Sequence, residues 1–433
     1  MLSAEQPRRP LLRLATAGSV DDGKSTLVGR LLLDTDSVLT DQFESLTRAS
    51  SRLGTTELDL SLLTDGLRAE REQGITIDVA YRYFSTDRRR FVLADTPGHV
   101  QYNRNTVSGM SSAEVAIILV DVAAGLLDQT HRHLAVAALL RVPHVVVAVN
   151  KMDMVGYDAE VFTRLRERVV DHTRRLGIDE VTVIPVSALA GDNIGVRSER
   201  MPWYDGPSLL EHLEDIPPVP LSSIGAARLS IQYVLRAAHR SYAGRLSSGP
   251  LRVGDEVVVL PAGIHTRVAG IERLGETISQ ARPGESVEVS LVDHVDVSRG
   301  DTIAALPAPT PRDSFSAVLC GVSDKRLRPA DHVLIKHGAR VVRGMVVEIE
   351  SGLDVGSLAY TPNVESVGGN DIAVVALRLA EPLPIEEYRT DRTTGCFLVL
   401  DADDGTTVAA GIVGVPAAAE MVNVEAMSTS GTA

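Results

Sequence analysis

The sequence predicts an α/β domain with a mainly parallel sheet, followed by two antiparallel β-barrel domains. Three observations predict this order. Residues 11–215 alternate apolar runs of strand length with amphipathic helical patterns, which is typical of a parallel sheet covered on both faces. Residues 216–305 and 312–415 instead contain short runs of alternating polarity punctuated by glycine, which is typical of small antiparallel barrels. Proline-rich joints separate the three stretches.

Apolar runs rich in Val, Ile and Leu predict the buried strands of the first domain. These runs are Leu11–Ala17, Phe91–Asp95, Val115–Asp121, His144–Asn150 and Val181–Val186. Helical patterns cover Lys24–Leu33 and, approximately, residues 128–141 and 158–176. The first domain is therefore expected to be a strand–helix alternation over residues 11–215.

The joints and the tail predict where order changes along the chain. Three prolines between Ile216 and Pro220 favour a stiff, extended linker, and three more occur between Leu306 and Pro311. Residues 416–433 are mostly small and polar, so we expect a disordered tail there.

Composition excludes several classes of protein. The chain of 433 residues has 43 Lys and Arg against 57 Asp and Glu, a formal net charge of −14, which disfavours nucleic-acid binding. No apolar run approaches the roughly 18–20 residues that cross a bilayer, and no secretory signal is visible, so we expect no membrane association and a cytoplasmic location. Cys320 and Cys396 are too few for a disulfide framework.

A phosphate-binding loop follows the first predicted strand and opens the first predicted helix. It reads Gly18, Ser19, Val20, Asp21, Asp22, Gly23, Lys24, Ser25 and Thr26, which matches GxxxxGK[ST]. Backbone N–H groups of such a loop and the helix N-terminus bind phosphates. Lys24 is expected to reach the β- and γ-phosphates, and the Ser25 hydroxyl is expected to bind Mg²⁺.

Polar residues at the end of the second buried run complete a hydrolysis site. Asp95 is placed to hold a Mg²⁺ water, and Gly98 to donate its N–H to a γ-phosphate. His99 is placed to orient the attacking water. Thr76 lies in a polar stretch between the first helix and the second strand, where its hydroxyl and carbonyl would close over Mg²⁺ and the γ-phosphate as an order–disorder switch.

Two further strand ends predict recognition of guanine. Asn150, Lys151 and Asp153 follow one buried strand, and the Asp153 carboxylate would accept from guanine N1–H and the 2-amino group. Adenine lacks that amino group and would leave a buried acceptor unpaired, at a cost of about 1–3 kcal/mol. Ser187, Ala188 and Leu189 follow the next strand and offer backbone N–H groups to guanine O6. The motifs together predict GTP as the bound nucleotide.

Two histidines on the second predicted helical pattern, residues 128–141, are candidates for a metal site. His131 and His133 are two residues apart, so their side chains cannot face one metal on a helix. We therefore expect both to lie on the surface.

With these motifs, the chain resembles translational GTPases of the elongation-factor type. It is most similar to a specialised branch, the GTP-hydrolysing large subunit of bacterial sulfate adenylyltransferase. The matching segments are the phosphate loop with Ser19 and Asp22, the run from Arg71 to Asp87, residues 242–249, 254–261 and 298–301 of the second domain, and residues 394–397 and 406–411 of the third. The resemblance covers about residues 11–414.

The resemblance implies an activity and a partner that spacing alone does not. It implies a subunit that uses Lys24, Thr76 and His99 to hydrolyse GTP, coupled to formation of adenylyl sulfate and pyrophosphate from ATP and sulfate. A separate small subunit would transfer the adenylyl group. Two alternatives remain open: an elongation-factor-like protein that delivers aminoacyl-tRNA, and a GTPase that regulates another transferase.

Overall fold

The computed structural model describes residues 10–38, 60–63, 78–99, 103–217, 225–236 and 240–416. The chain forms two compact units, and the division falls near residue 219.

The first unit is built on one six-stranded sheet. Its strands are β1 (Leu11–Ala17), β2 (Ala80–Ser85), β3 (Arg90–Asp95), β4 (Val115–Asp121), β5 (His144–Asn150) and β6 (Val181–Pro185). Their order in the sheet is β2-β3-β1-β4-β5-β6. All neighbours pair in parallel except β2, which is antiparallel to β3 at the sheet edge.

Helices connect most of these strands. They are α1 (Lys24–Asp34), α2 (Asn103–Ser111), α3 (Asp128–Leu139), α4 (Ala159–Arg175) and α5 (Leu209–Asp215), with 3-10 turns at Leu60–Leu63 and Met152–Val155. Local sequence explains two of the helix starts. The Asp158 carboxylate accepts from two N–H groups of the first turn of α4, and Ser208 and Glu211 cap α5 reciprocally.

The core of this unit explains why its strands could be predicted. Val115–Val120 of β4 is completely buried, because parallel strands are covered on both faces. The core combines such strands with the apolar side of α1, including Leu27 and Leu31. Since β1, β3, β4, β5 and β6 run in the same direction, their carboxyl ends lie along one edge of the sheet, where ligands bind in open α/β folds.

The second unit contains two closed six-stranded antiparallel barrels. The strands of the first barrel are β7 (Arg228–Arg236), β8 (Arg240–Ser248), β10 (Glu256–Leu260), β11 (Ile264–Arg273), β14 (Ser286–Leu291) and β15 (Thr302–Ala305), with short strands β9 (Leu251–Arg252), β12 (Glu276–Ile278) and β13 (Gln280–Ala281) beside them. The order is β10-β15-β7-β8-β14-β11, and pairing of β11 with β10 closes the barrel.

The second barrel repeats this closure with different strands. They are β16 (Arg312–Gly321), β17 (His332–His337), β18 (Arg340–Asp354), β20 (Ile372–Leu383), β21 (Cys396–Asp401) and β22 (Thr407–Val413), with β19 (Ala359–Thr361) at an edge. The order is β17-β21-β22-β16-β20-β18, closed by pairing of β18 with β17. The predicted fold class, a mainly parallel α/β domain followed by two antiparallel barrels, is confirmed.

Within the second unit, a buried ion pair joins the two barrels. Arg228 of β7 donates from Nε and Nη2 to the two carboxylate oxygens of Glu386, each at 3.1 Å. Thr394 also donates to Glu386, at 2.9 Å. Both charged side chains are largely buried, so the bidentate geometry and the added hydroxyl satisfy groups that would be costly to bury alone.

The expectation that both helical histidines lie on the surface is wrong for His133. That side chain is on the inner face of α3, 1% exposed, and its Nε2 lies 3.0 Å from Gln129 Nε2. Burial lowers the pKa of His133 to about 3, so the ring is neutral. His131 is half-buried and its Nδ1 lies 3.0 Å from His172 Nε2.

The helices of the described residues are all too short or too polar to cross a membrane.

Candidate functional site

A cavity of about 350 Å³ opens at the carboxyl edge of the sheet in the first unit. Its size is in the range of small-molecule and cofactor sites. The lining residues are Val20, Asp21, Gly23, Lys24, Ser25, Thr26, Gly98, His99, Asn150, Lys151, Asp153, Met154, Ala188 and Leu189. These residues follow β1, β3, β5 and β6, so four separate strand ends build one site.

Most residues predicted from the motifs line this cavity. The exceptions are Gly18, Ser19, Asp22, Asp95 and Ser187, which lie behind the lining, and Thr76, which is outside the described residues. Ser19, Asp22, Asp95 and Ser187 are nearly or fully buried. They therefore support the lining residues from behind.

The Lys24 ammonium is fixed by the loop that carries it. Nζ donates to the carbonyl oxygens of Gly18 at 2.8 Å and Ser19 at 2.9 Å. An ammonium has three N–H donors, so one remains for a ligand at the cavity. Burial lowers the pKa of Lys24, against the opposing attraction of Asp95 and Asp22.

The Asp22 carboxylate holds the phosphate loop closed. Its Oδ2 accepts from Ser19 N–H at 2.6 Å, across the turn. Burial raises the pKa of Asp22, although this hydrogen bond and the nearby Lys24 partly offset the effect. The contact fixes the loop backbone in the shape from which Lys24 reaches the cavity.

Glycine is required at position 23 for two reasons, the close approach of the Asn150 side chain and the backbone φ angle. Its φ is +92°, and a Cβ there would lie 2.4 Å from Asn150 Nδ2. Asn150 Nδ2 donates to the Asp22 carbonyl at 2.8 Å, and Asn150 Oδ1 accepts from Ala188 N–H at 2.9 Å. One buried amide therefore joins the phosphate loop to the loop after β6.

Two oxygen-bearing side chains suited to bind a hard cation lie near the phosphate loop. Asp95 is buried at the end of β3, and its Oδ1 accepts from Thr16 Oγ1 at 3.0 Å. Ser25 lines the cavity at the start of α1. In the described part of the chain, no cluster of three or more His, Cys, Asp or Glu side chains forms a metal site. One carboxylate and one hydroxyl fit Mg²⁺, which usually keeps waters and phosphate oxygens as its other ligands.

Lys151 faces Asp121 at the end of β4. Its Nζ lies 2.8 Å from Asp121 Oδ2. Burial acts to raise the pKa of Asp121, but hydrogen bonds from Lys151 and from the Ala123 N–H outweigh it and lower the pKa. Lys151 has φ of +66°, uncommon for a side chain with a Cβ, and the ion pair helps to hold this turn.

The Asp153 carboxylate is held from the loop after β6. Ser187 Oγ donates to Asp153 Oδ1 at 2.6 Å and accepts from Ala190 N–H at 3.2 Å. Ser187 itself is fully buried. Asp153 lines the cavity, so a fixed carboxylate faces the cavity.

Sequence motifs missed three contributors to the site. Met154 lines the cavity, Asp121 pairs with Lys151, and Arg30 of α1 donates to the backbone of the loop after β6. The position of Asp121 at a strand end was a usable signal. No local pattern identifies Arg30, which is separated from its partners by about 160 residues of chain.

Two protein-family models match the chain. The Elongation factor Tu GTP binding domain matches residues 9–223, and the GTP-eEF1A C-terminal domain-like family matches residues 314–414. The first match contains the cavity and every motif that lines it.

Curated relatives match over most of the chain. A Bifunctional enzyme CysN/CysC of Mycobacterium tuberculosis is 47% identical over 411 residues, which is 93% of this chain and 67% of the relative. Sulfate adenylyltransferase subunit 1 of Saccharophagus degradans is 42% identical over 415 residues, 95% of this chain and 88% of the relative. A Bifunctional enzyme CysN/CysC of Xylella fastidiosa is 44% identical over 412 residues, covering 94% and 66%.

Proposed function

The chain belongs to the sulfate adenylyltransferase subunit 1 family, and from this membership we propose that it is the GTP-hydrolysing subunit of such an enzyme. In this role it couples GTP hydrolysis to the formation of adenylyl sulfate and pyrophosphate from ATP and sulfate. The observation that carries the proposal is one cavity lined both by a GxxxxGK[ST] loop and by a carboxylate that Ser187 holds in place, in a chain 42% identical to a subunit 1 protein.

Guanine nucleotide is the ligand that this cavity fits. The triphosphate would lie on the backbone of residues 18–26, with the Lys24 ammonium on the β- and γ-phosphates. At the other end, Asp153 would accept from the N1–H and 2-amino groups of guanine. Asn150 would keep the phosphate loop and the loop after β6 in fixed positions relative to each other, because its side-chain amide contacts both.

Mg²⁺ is the proposed metal of the site. Ser25 and Asp95 supply the oxygen ligands, directly or through water, and Thr76 would add a third from the segment outside the described residues. When bound, the ion supplies charge neutralisation for the phosphates.

The reaction at the phosphate end is the addition of water to the γ-phosphorus. The bond to the β–γ bridging oxygen breaks, and GDP and phosphate leave. His99 lines the cavity directly after Gly98, and its proposed role is to orient the attacking water. The Gly98 N–H would hold the γ-phosphate, and Lys24 would stabilise the charge on it.

The proposed partner is a separate small subunit that transfers the adenylyl group from ATP to sulfate. Three proposals accompany it: domains at residues 11–215, 216–305 and 312–415 with a tail at 416–433, a cytoplasmic location, and no nucleic-acid partner. The acidic surface, with a net charge of −14, supports the last of these.

Coupling between the two activities is the experiment that tests the proposed function. GTP turnover by this protein is measured with and without the small subunit, ATP and sulfate, and adenylyl sulfate is measured with GTP or a non-hydrolysable analogue. We expect turnover to rise with the full mixture, and multiple-turnover product only with GTP. A GTP turnover rate that is unchanged by the small subunit, ATP and sulfate would contradict the proposal. Stimulation of GTP turnover by ribosomes and tRNA instead would favour a translation factor.

A further inference from the structure

The loop after β6 uses nearly all of its backbone polar groups on protein partners. Ser187 N–H donates to Asp192 O at 3.1 Å, Ala188 N–H to Asn150 Oδ1 at 2.9 Å, and Ala190 N–H to Ser187 Oγ at 3.2 Å. Among the described residues, Leu189 N–H donates no hydrogen bond. Leu189 lines the cavity, so this N–H is the donor that the loop has left for a ligand.

The side chain of Arg30 fixes the two carbonyls on either side of that donor. Arg30 Nε donates to Ala188 O at 3.3 Å, and Nη2 donates to Leu189 O at 2.6 Å. The guanidinium is a rigid, planar fork, so two bonds from it set the orientation of the backbone that accepts them. Arg30 comes from α1, the helix that the phosphate loop opens.

The geometry of the peptide group determines where Leu189 N–H points once the Ala188 carbonyl is held. Ala188 C=O and Leu189 N–H belong to one planar trans peptide, in which the two groups point in opposite directions. When Arg30 holds the carbonyl toward α1, the N–H must point away from α1. We propose that Arg30 is a positioning residue that aims Leu189 N–H at the 6-oxo group of guanine. This inference rests on the proposed function, because it assumes that guanine occupies the cavity.

Neighbouring contacts hold the guanidinium in place. Arg30 Nη1 lies 3.7 Å from Asp34 Oδ1 one turn along α1, and a hydrogen bond from the Gly195 backbone fixes that carboxylate in turn. A Cβ on Gly191 would lie 3.5 Å from Arg30 Cζ, so the loop wraps closely around the guanidinium. The Arg30 side chain is 21% exposed, so most of it is removed from solvent by these groups.

A ligand changed at one atom isolates the proposed contact. In 6-thio-GTP, sulfur replaces O6 and accepts a hydrogen bond weakly, while N1–H and the 2-amino group remain; ITP lacks only the 2-amino group. Dissociation constants for GTP, 6-thio-GTP and ITP are measured for the wild type, Arg30→Ala and Arg30→Lys. We expect the wild type to prefer GTP over 6-thio-GTP by roughly three- to tenfold, the size of one neutral hydrogen bond.

The variants separate positioning from general damage to the fold. In Arg30→Ala the preference for GTP over 6-thio-GTP should fall to within about twofold, while the preference for GTP over ITP changes less. Arg30→Lys should restore part of the lost preference and serves as the test if the alanine variant does not fold. Arg164→Ala, an exposed arginine of α4 with an ion pair to Glu160, is the matched control and should behave as wild type.

Three outcomes would overturn parts of the account separately. An unchanged GTP to 6-thio-GTP ratio in Arg30→Ala would overturn the role of Arg30. Equal binding of GTP and 6-thio-GTP by the wild type would show that no N–H reads O6. If the wild type does not prefer GTP to ATP at all, the proposed function itself fails.

Discussion

The phosphate end and the base end of the cavity are built from different kinds of interaction. At the phosphate end the decisive groups are buried charges, Lys24, Asp22 and Asp95, each held by backbone or hydroxyl groups. At the base end the Asp153 carboxylate accepts from the Ser187 hydroxyl, which in turn accepts from Ala190 N–H, and the neighbouring Lys151 charge is paired with Asp121. The phosphate end is therefore suited to supply affinity, and the base end to supply selectivity.

Because the two ends are built differently, we expect affinity and base selectivity to be separable by substitution. A change at the phosphate end should weaken all nucleoside triphosphates alike, because phosphates are common to them. A change at the base end should alter the ratio between nucleotides. Asn150 contacts both ends, so it is the position at which this separation is expected to fail.

The largest effect is expected for Lys24→Ala. Removing a buried, fixed ammonium should weaken GTP and ATP binding equally, on the order of a thousandfold. Equilibrium titration with fluorescent GTP and ATP analogues measures both. Lys336→Ala changes an exposed lysine of β17 and serves as the control. A variant that loses GTP binding but keeps ATP binding would show that Lys24 acts on base selection and not on the phosphates.

His99→Ala is expected to separate binding from chemistry at the phosphate end. GTP affinity should stay within about twofold, while single-turnover hydrolysis slows by about a hundredfold or more, as for loss of a positioned catalytic group. Rapid-quench measurement of phosphate release checks this, with His265→Ala in β11 as an exposed control. Hydrolysis at the wild-type rate would remove His99 from the mechanism.

At the base end, Asp153→Asn should shift the nucleotide preference from GTP toward xanthosine triphosphate. GTP affinity should fall by roughly ten- to a hundredfold, because a charge-assisted acceptor for N1–H and the 2-amino group is lost. Xanthosine triphosphate, with an oxygen at position 2, should bind more tightly, because an amide can donate to that oxygen. Competition binding against GDP measures both ligands. Unchanged GTP affinity would place the base elsewhere.

The smallest effect is expected for Ser187→Ala. This change removes the donor to Asp153 Oδ1 and the acceptor for Ala190 N–H, so the carboxylate is held less firmly. The preference for GTP over ITP should fall by roughly three- to tenfold, with ATP affinity unchanged. A variant that weakens ATP and GTP equally would show that Ser187 acts on the fold and not on base selection.

The sequence predicted what depends on local pattern. Strands β1, β4 and β5 have the predicted bounds. In β4 and β5 the buried strand appears in the sequence as an apolar run that ends at a polar residue, Asp121 or Asn150. The phosphate loop and the strand ends at Asn150 and Ser187 were identified because their residue types are set by the ligand. Their convergence on one cavity follows from the parallel direction of the strands.

What the sequence did not predict depends on contacts between distant segments. The pairings of β10 with β11 and of β17 with β18 close the barrels, yet polarity alternation alone does not reveal which strands meet. The prediction that His133 lies on the surface was wrong because the start of α3 is mainly polar, so the sequence there does not show that position 133 faces inward. In the sequence Arg30 cannot be distinguished from an ordinary exposed helix residue, because its partners Ala188 and Leu189 are distant in the chain and meet it only in the folded protein.

Equilibrium binding of GTP and ATP to the unmodified protein tests whether this cavity selects guanine. Adenine leaves the Asp153 carboxylate without the 2-amino donor and presents an amino group to Leu189 N–H. We therefore predict that GTP binds at least about a hundredfold more tightly than ATP. Isothermal titration calorimetry with Mg²⁺ present gives both dissociation constants. Affinities for GTP and ATP within threefold of each other would contradict the claim that this cavity reads guanine.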